Sequence, residues 1–337
     1  MPASALPLFY GADNGGIVCA YAFNSGHVDT LSSEAAAHWL QQHHPAEAFL
    51  WIHVNLSHNQ ALPWLQQHTA LPETFYESLQ EHSPATRIER DEDTLLAVIN
   101  DVLFDFTFES DDIATLCLAV RPQLMVTARR KPLRSVDRLR MAVKMGETPA
   151  STIELLVHLL QDQADELGKI VHSIDDKTNR IEDRILANRI GNSRADLGNM
   201  RRLLVQLKRL LAPEPGALFR LLMRPPKWIS EADRQELRQS TEEFASVIQD
   251  ISALQERIKL LQEEIGANLN EQNNRSLYVL TIVTVLALPF NIIGGLFGMN
   301  VGGIPLAENP HGFGLLVLLV SVGVVAAAVF FFRRRQD

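Results

Sequence analysis

LYVLTIVTVLALPFNIIGGLFGM, residues 277–299, carries no charged side chain. Crossing the hydrocarbon core of a bilayer takes about 20 helical residues, so this stretch is long enough to span one. A second uncharged stretch follows at 313–332, FGLLVLLVSVGVVAAAVFFF. The segment between them, 300–312, has a single fixed charge, Glu308. Arg275 precedes the first stretch, and Arg333, Arg334 and Arg335 close the second. Basic residues flank spans on the cytosolic side, so both chain ends are expected there, with the loop outside. Two buried core helices are the bland alternative, and the uninterrupted runs with basic flanks argue against it.

The two stretches differ in chemistry. Ser321 is the lone polar side chain of the second, which suits lipid. The first holds Thr281, Thr284 and Asn291. At about 100° per residue, Asn274, Leu277, Thr281, Thr284, Leu288 and Asn291 fall within one arc of roughly 100°. Polar groups in a span are costly and face a protein interior or water. That face is a candidate pore lining. Hydrogen bonding between helices is the alternative, since threonine and asparagine often do this in membranes.

Working back toward the N-terminus, Leu237, Phe244, Ile251, Ile258 and Ile265 recur every seven residues. Val247, Leu254, Leu261 and Asn268 fill a second seam position. This heptad pattern predicts coiled-coil-like packing. After Ser230 the first proline is Pro289, so one helix is expected from near Ser230 to near Phe297. At about 1.5 Å per residue it would be roughly 100 Å long. Glu242, Gln249, Glu256, Glu263 and Asn270 lead in steps of seven into the polar stripe. Ten acidic and four basic residues lie between Glu231 and Glu271. An acidic face raises the local cation concentration, although a solvated coiled-coil face would look the same.

The first 150 residues alternate between apolar strand-like and amphipathic helical runs. Strands are expected at 16–23, 49–56, 94–108, 113–120 and 124–128, with turns at 91–93 and 110–112. A helix is expected at 33–43, with Ser33 as its cap. These alternations predict an α/β domain. A helix is expected from 151 to 190 and another from about 194 to 223, ended by Pro225 and Pro226. The segments are therefore a cytosolic α/β domain (1–150), a helical hairpin (151–228) and a long stalk helix (229–276). They continue as a first span (277–299), an outer loop (300–312), a second span (313–332) and a basic tail (333–337).

Net charge is −9, which argues against a nucleic-acid partner. Cys19 and Cys117 sit in apolar runs, which supports neither a disulfide framework nor a thiolate metal site. The start, Met1-Pro2-Ala3-Ser4, lacks a signal peptide's basic and apolar stretches, so the N-terminal part is expected in the cytosol. His158 with Asp162, and His172 with Asp176, share i, i+4 spacing and could bind metal or simply pair on the surface. His43 and His44 fall at an expected helix end. No phosphate-binding glycine loop, nucleophile elbow or paired-cysteine motif is present, so no enzyme site and no cofactor are expected.

Gly298-Met299-Asn300 closes the first span, after a long acidic helix and an α/β domain. In that setting the tripeptide is specific. The chain resembles the CorA-type superfamily of divalent-cation transporters over its whole length. The following Val301-Gly302-Gly303-Ile304-Pro305 resembles the zinc-transporting ZntB branch. Magnesium-transporting relatives usually have a more acidic loop there. The resemblance implies a homopentameric funnel in a bacterial inner membrane, with the first span lining the pore and the second facing lipid. The transported ion would be zinc, with cadmium, nickel or cobalt as further substrates; a magnesium and cobalt channel is the nearest alternative. A ring of Asn300 amides at the outer mouth would hold a hydrated cation, because an amide carbonyl accepts from the ion's waters. Gly298 would allow the turn and Met299 would pack. Asn274, Thr281, Thr284 and Asn291 would face the pore, with Leu277 and Leu288 as apolar constrictions. Glu308 and His311 are candidate ligands in the loop. A membrane-anchored coiled-coil sensor is the alternative of a different class, though its sensing domain would have to fit in about a dozen residues.

Overall fold

One mixed sheet organises the N-terminal part of the chain, in the order β2-β1-β3-β7-β6-β5-β4. Its strands are β1 (Ile17–Asn24), β2 (His27–Thr30), β3 (Phe49–Asn55), β4 (Arg87–Asp91), β5 (Thr94–Val102), β6 (Ile113–Arg121) and β7 (Leu124–Arg129). The β3–β7 pair is parallel and the others are antiparallel. The computed structural model describes residues 11–81, 86–109, 112–187, 189, 191–298 and 310–333. The chain divides into two units, Met1–Gln262 and Glu263–Asp337.

Successive strand side chains point to opposite faces, and here both faces are covered. Phe49, Trp51, Leu116, Leu118 and Val120 enter one core, together with Ile153, Leu156, Leu218 and Leu237. Leu50, Ile52, Val54, Cys117 and Ala119 enter the other, with Ala36, Leu65, Phe75 and Leu79. The second core is roofed by α1 (Ser33–Leu40), α2 (Ala61–His68) and α3 (Glu73–Gln80). The first is roofed by α4 (Arg134–Lys144), α5 (Thr152–Leu186), α7 (Pro213–Met223) and the start of α8 (Glu231–Gly298). Burial on both faces is why these strands read as continuous apolar runs.

Two sequence expectations shift at their edges. Ser32, not Ser33, caps α1 by accepting from the Ala35 N–H at 3.3 Å. The Ser33 N–H instead donates to Asp13 Oδ2 at 3.0 Å, while Asp13 Oδ1 accepts from Gly15 and Ile17. The strand expected over 94–108 ends at Val102, with a single bridge beyond it between Leu103 and Leu133. Asp112 accepts from the backbone N–H groups of Thr107 and Glu109 and turns the chain away. Ser110 and Asp111, part of an expected turn, lie outside the described residues.

The helix expected from about 194 to 223 is two helices, α6 (Ser193–Leu211) and α7. Pro213 has no N–H to give the helix before it, but at N1 of a new helix none is needed. Glu214 in the first turn of α7 is fully buried. It accepts from the Asn100 N–H at 2.8 Å and from Gln163 Nε2 at 2.9 Å, tying β5, α5 and α7 together. Burial pushes its carboxyl well above the usual range.

α8 runs unbroken for 68 residues. Ser230 and Asp233 form a reciprocal cap: Asp233 N–H donates to Ser230 Oγ at 3.1 Å and Ser230 N–H to Asp233 Oδ2 at 3.2 Å. The seam positions Leu237, Phe244, Ile251, Ile258 and Ile265 are all buried. α9 spans Gly312–Arg333.

Candidate ion-conducting face

The polar stripe lies on one continuous helix. Asn274, Leu277, Thr281, Thr284, Leu288 and Asn291 all fall within α8 and all are exposed on the isolated chain. Thr281 Oγ1 donates to the Leu277 carbonyl at 2.8 Å and Thr284 Oγ1 to the Leu280 carbonyl at 2.9 Å. Each hydroxyl proton is thus spent inside the helix, and the oxygen lone pairs remain. Such a face presents acceptors, which suits a cation or its bound water.

Pro289 stands inside α8 and has no N–H. The Val285 carbonyl, four residues earlier, therefore lacks its helical donor. Val285 lies at the edge of the same arc, so the stripe gains a backbone acceptor. Carbonyls freed in this way inside membranes are satisfied by neighbouring helices or water. A proline four residues beyond a position bordering the stripe is a signal that polarity alone misses.

Away from the stripe, the helix is apolar and uncovered. Val279, Val283 and Phe290 are exposed, as are Phe313, Leu318 and Val322 on α9. α8 is long and apolar enough to cross a membrane, and almost none of its apolar window is buried. Surfaces this apolar are not left to water in a soluble protein.

Upstream, Glu242, Glu256 and Glu263 are exposed on α8. Two of them are partly neutralised by neighbours on the same helix. Arg238 lies 3.5 Å from Glu242 and Lys259 lies 3.0 Å from Glu256, whereas Glu263 has no ion pair among the described residues. Further acidity is absorbed by Arg257, which pairs with Asp175 at 2.8 Å and with Glu182.

Gly298 is the last residue of α8. Met299, Asn300 and Glu308 lie outside the described residues. His311 is exposed, and its carbonyl accepts from the Leu315 N–H in the first turn of α9. Among the described residues, no three His, Cys, Asp or Glu side chains cluster as a metal site.

Several other histidines have structural partners. His158 does not pair with Asp162: it lies 3.3 Å from Glu147, and Asp162 takes Arg138 at 3.1 Å. Arg138, from the neighbouring helix α4, brings a permanent charge to that carboxylate. His172 and Asp176 do meet, at 3.8 Å, both well exposed. His44 and His68 each stack on a tryptophan, Trp39 and Trp64, and bond that residue's carbonyl at 2.9 Å. Cys19 and Cys117 are free and buried, and burial pushes their thiols up to about 12 and about 11.

Residues 46–334 match the CorA-like Mg2+ transporter protein family. The chain belongs to that family. Its members are transporters, not enzymes. Among curated relatives, the zinc transport protein ZntB of Yersinia enterocolitica is 25% identical over 90% of each chain. The divalent cation transporter CmaX of Pseudomonas aeruginosa is 28% identical over 86% of this chain and 87% of its own. In three dimensions, full-length CmaX aligns with a TM-score of 0.82 at 27% identity, over 97% of this chain and 99% of that one. The CorA magnesium transporter of Methanocaldococcus jannaschii aligns at 0.75 and 22% identity, over 94% and 97%, a likeness of fold.

Proposed function

We propose that this protein carries divalent metal cations, zinc foremost, across a bacterial inner membrane as a homopentamer. The observation that carries this reading is one unbroken helix bearing a stripe of acceptors through an otherwise apolar, uncovered span. One such span per chain cannot enclose a path, so several copies assemble about an axis. α8 then lines the path over 277–299 and α9 faces lipid. The loop 300–312 lies outside and both chain ends lie in the cytosol. Residues 1–150, 151–228 and 229–276 act as α/β domain, helical hairpin and stalk, and 333–337 as a basic tail.

Passage follows from the chemistry of the lining. Dehydrated zinc takes thiolate, imidazole or carboxylate ligands, and the stripe offers hydroxyls, amides and carbonyls. The ion therefore travels with its water shell, and Asn274, Thr281, Thr284 and Asn291 accept from those waters. Leu277 and Leu288 narrow the path. The selectivity ring is Gly298-Met299-Asn300, with Asn300 contacting the hydrated ion and Glu308 and His311 lying near the mouth. Glu242, Glu256 and Glu263 raise cation concentration on the cytosolic side, Glu263 most because it has no ion pair among the described residues.

Zinc rests on the relatives named for it and on a loop with one carboxylate. A magnesium and cobalt carrier is the second reading, favoured by the family description. Uptake of radioactive zinc into proteoliposomes, with cobalt, nickel, cadmium and magnesium as competitors, separates the two. Zinc uptake above empty liposomes, lost in Asn300→Ala, is the expected result. Magnesium outcompeting zinc would move the assignment to the second reading. Uptake no faster than empty liposomes would sink both.

A further inference from the structure

A cavity of about 700 Å3 opens between α5 and α6, outside anything used for ion passage. Its size falls in the range that takes a small molecule. Lys177, Arg180 and Arg184 line it from α5. Spacings of three and four residues put their side chains on one face. Ile181 and Leu203 form an apolar wall, and both are buried.

The charges there are poorly compensated. Among the described residues, Lys177 and Arg180 have no carboxylate partner, and Arg184 reaches only Asp196, at 3.9 Å. Elsewhere on α5, Asp175 and Glu182 pair with Arg257, and Glu166 with Arg134 and Arg138. Three lining cations with one carboxylate between them are out of character for a chain of net charge −9.

Phe108 completes the cavity from a distant part of the chain. Its φ is +67°, a region that bulky side chains avoid and that is found where the surroundings impose it. Asp112 imposes it, accepting from the backbone N–H groups of residues 107 and 109 on either side. The ring stands edge-on to Phe106 at 5.2 Å and carries Lys177 Nζ 3.7 Å from its centre. A strained aromatic thus braces one of the three cations at the cavity wall.

We propose that this cleft binds a small organic phosphate, its phosphate on Lys177, Arg180 and Arg184 and its apolar or aromatic body against Phe108, Ile181 and Leu203. Guanidinium forks match carboxylate and phosphate alike, but three cations around one anion suit a phosphate, with more charge and a third oxygen to share among them, over a single carboxylate. A free nucleotide and a lipid headgroup share this chemistry. The site is independent of the ion path, so it stands or falls apart from the transport reading.

Calorimetric titration of the purified full-length protein in detergent tests it with adenosine monophosphate, dihexanoyl phosphatidic acid and inorganic phosphate. At least one of the first two binds more tightly than inorganic phosphate, and the preference between them identifies the source. Lys177→Glu and Arg180→Glu each weaken that binding on the order of tenfold. Phe108→Ala weakens the organic probes but leaves inorganic phosphate unchanged. Circular dichroism confirms that the variants fold, and Arg180→Gln gives a milder loss in the same direction. Undetectable binding of both organic probes, equal affinity for inorganic phosphate, or unchanged affinity in folded Arg180→Glu each overturns the proposal.

Discussion

Asp101 and His53 are both fully buried, and burial drives them in opposite senses. Asp101 accepts from Ser135 Oγ at 2.5 Å and from the Ser135 N–H at 3.1 Å, closing the open end of α4, whose own cap Leu133 offers no side-chain bond. Burial outweighs these bonds and raises its pKa from 3.8 to about 6. A carboxyl raised in the fold holds its proton more tightly there than in the unfolded chain. Its stabilising contribution is complete below pH 3.8 and is lost as pH rises through about 6, on the order of 3 kcal/mol. The melting temperature of the wild type relative to Asp101→Asn therefore falls between pH 4 and pH 7; a constant gap would refute it. His53 shows the reverse. Arg129 Nε can only donate, so His53 Nε2, 3.1 Å away, must accept, and the ring's one proton sits on Nδ1 facing Thr127 Oγ1 at 2.8 Å. Burial first, and Arg129 second, hold its pKa well below 6.5. This contribution is present above pH 6.5 and lost as pH falls below it. Relative to His53→Gln, the wild type should lose melting temperature from pH 7.5 to pH 5.5, and parallel curves would exclude the arrangement.

At the scale of elements, what could be read in the sequence depended on how each element is buried. β3, β5, β6 and β7 are covered on both faces and stand out as apolar runs. β2 and β4 are edge strands with no fully buried residue, β4 being charged at four of its five positions, and their sequences give no such signal. The short helices α2 and α3 bury only a few residues each and were equally silent. Ala212 hides a break because proline is as welcome at N1 of a helix as it is unwelcome inside one. α8 was legible because its seam repeats every seven residues with no interruption. That seam sets an energetic expectation: Ile258→Ala removes a fully buried side chain and should cost about 2–5 kcal/mol. Gln249→Ala on the exposed face of the same helix should stay within about 0.5 kcal/mol. Urea unfolding of the full chain compares them, and similar costs would mean that the seam does not bear the packing. The polar stripe was legible from the same periodicity. The internal bonds of Thr281 and Thr284 were not, since a threonine hydroxyl in a helix has more than one place to point. The cleft beside Phe108 was invisible for a different reason, because it joins residues about 70 positions apart in the chain.

For the whole molecule, the decisive question is which face of α8 meets water in the proposed assembly. On the isolated chain both the stripe and the opposite face are exposed, so exposure alone does not distinguish them. Chemistry does: Thr284 and Asn291 have polar groups that lipid would penalise, whereas Val283 and Phe290 have none. Cysteine labelling in membranes converts this into a direct measurement. The native background is small, because both natural cysteines, Cys19 and Cys117, are buried and their thiols are pushed far above neutral pH. Thr284→Cys and Leu288→Cys, on the stripe, should react with a charged, membrane-impermeant thiol reagent, and the reaction should block metal uptake. Val283→Cys and Phe290→Cys, on the far side of the same turns, should react slowly and leave uptake intact. Zinc present during labelling should protect the stripe positions, because ion and reagent would share one path. If all four positions reacted alike, α8 would not be an ordered pore wall. If only Val283→Cys and Phe290→Cys reacted, the stripe would be buried between helices and its hydroxyls would serve packing instead of passage.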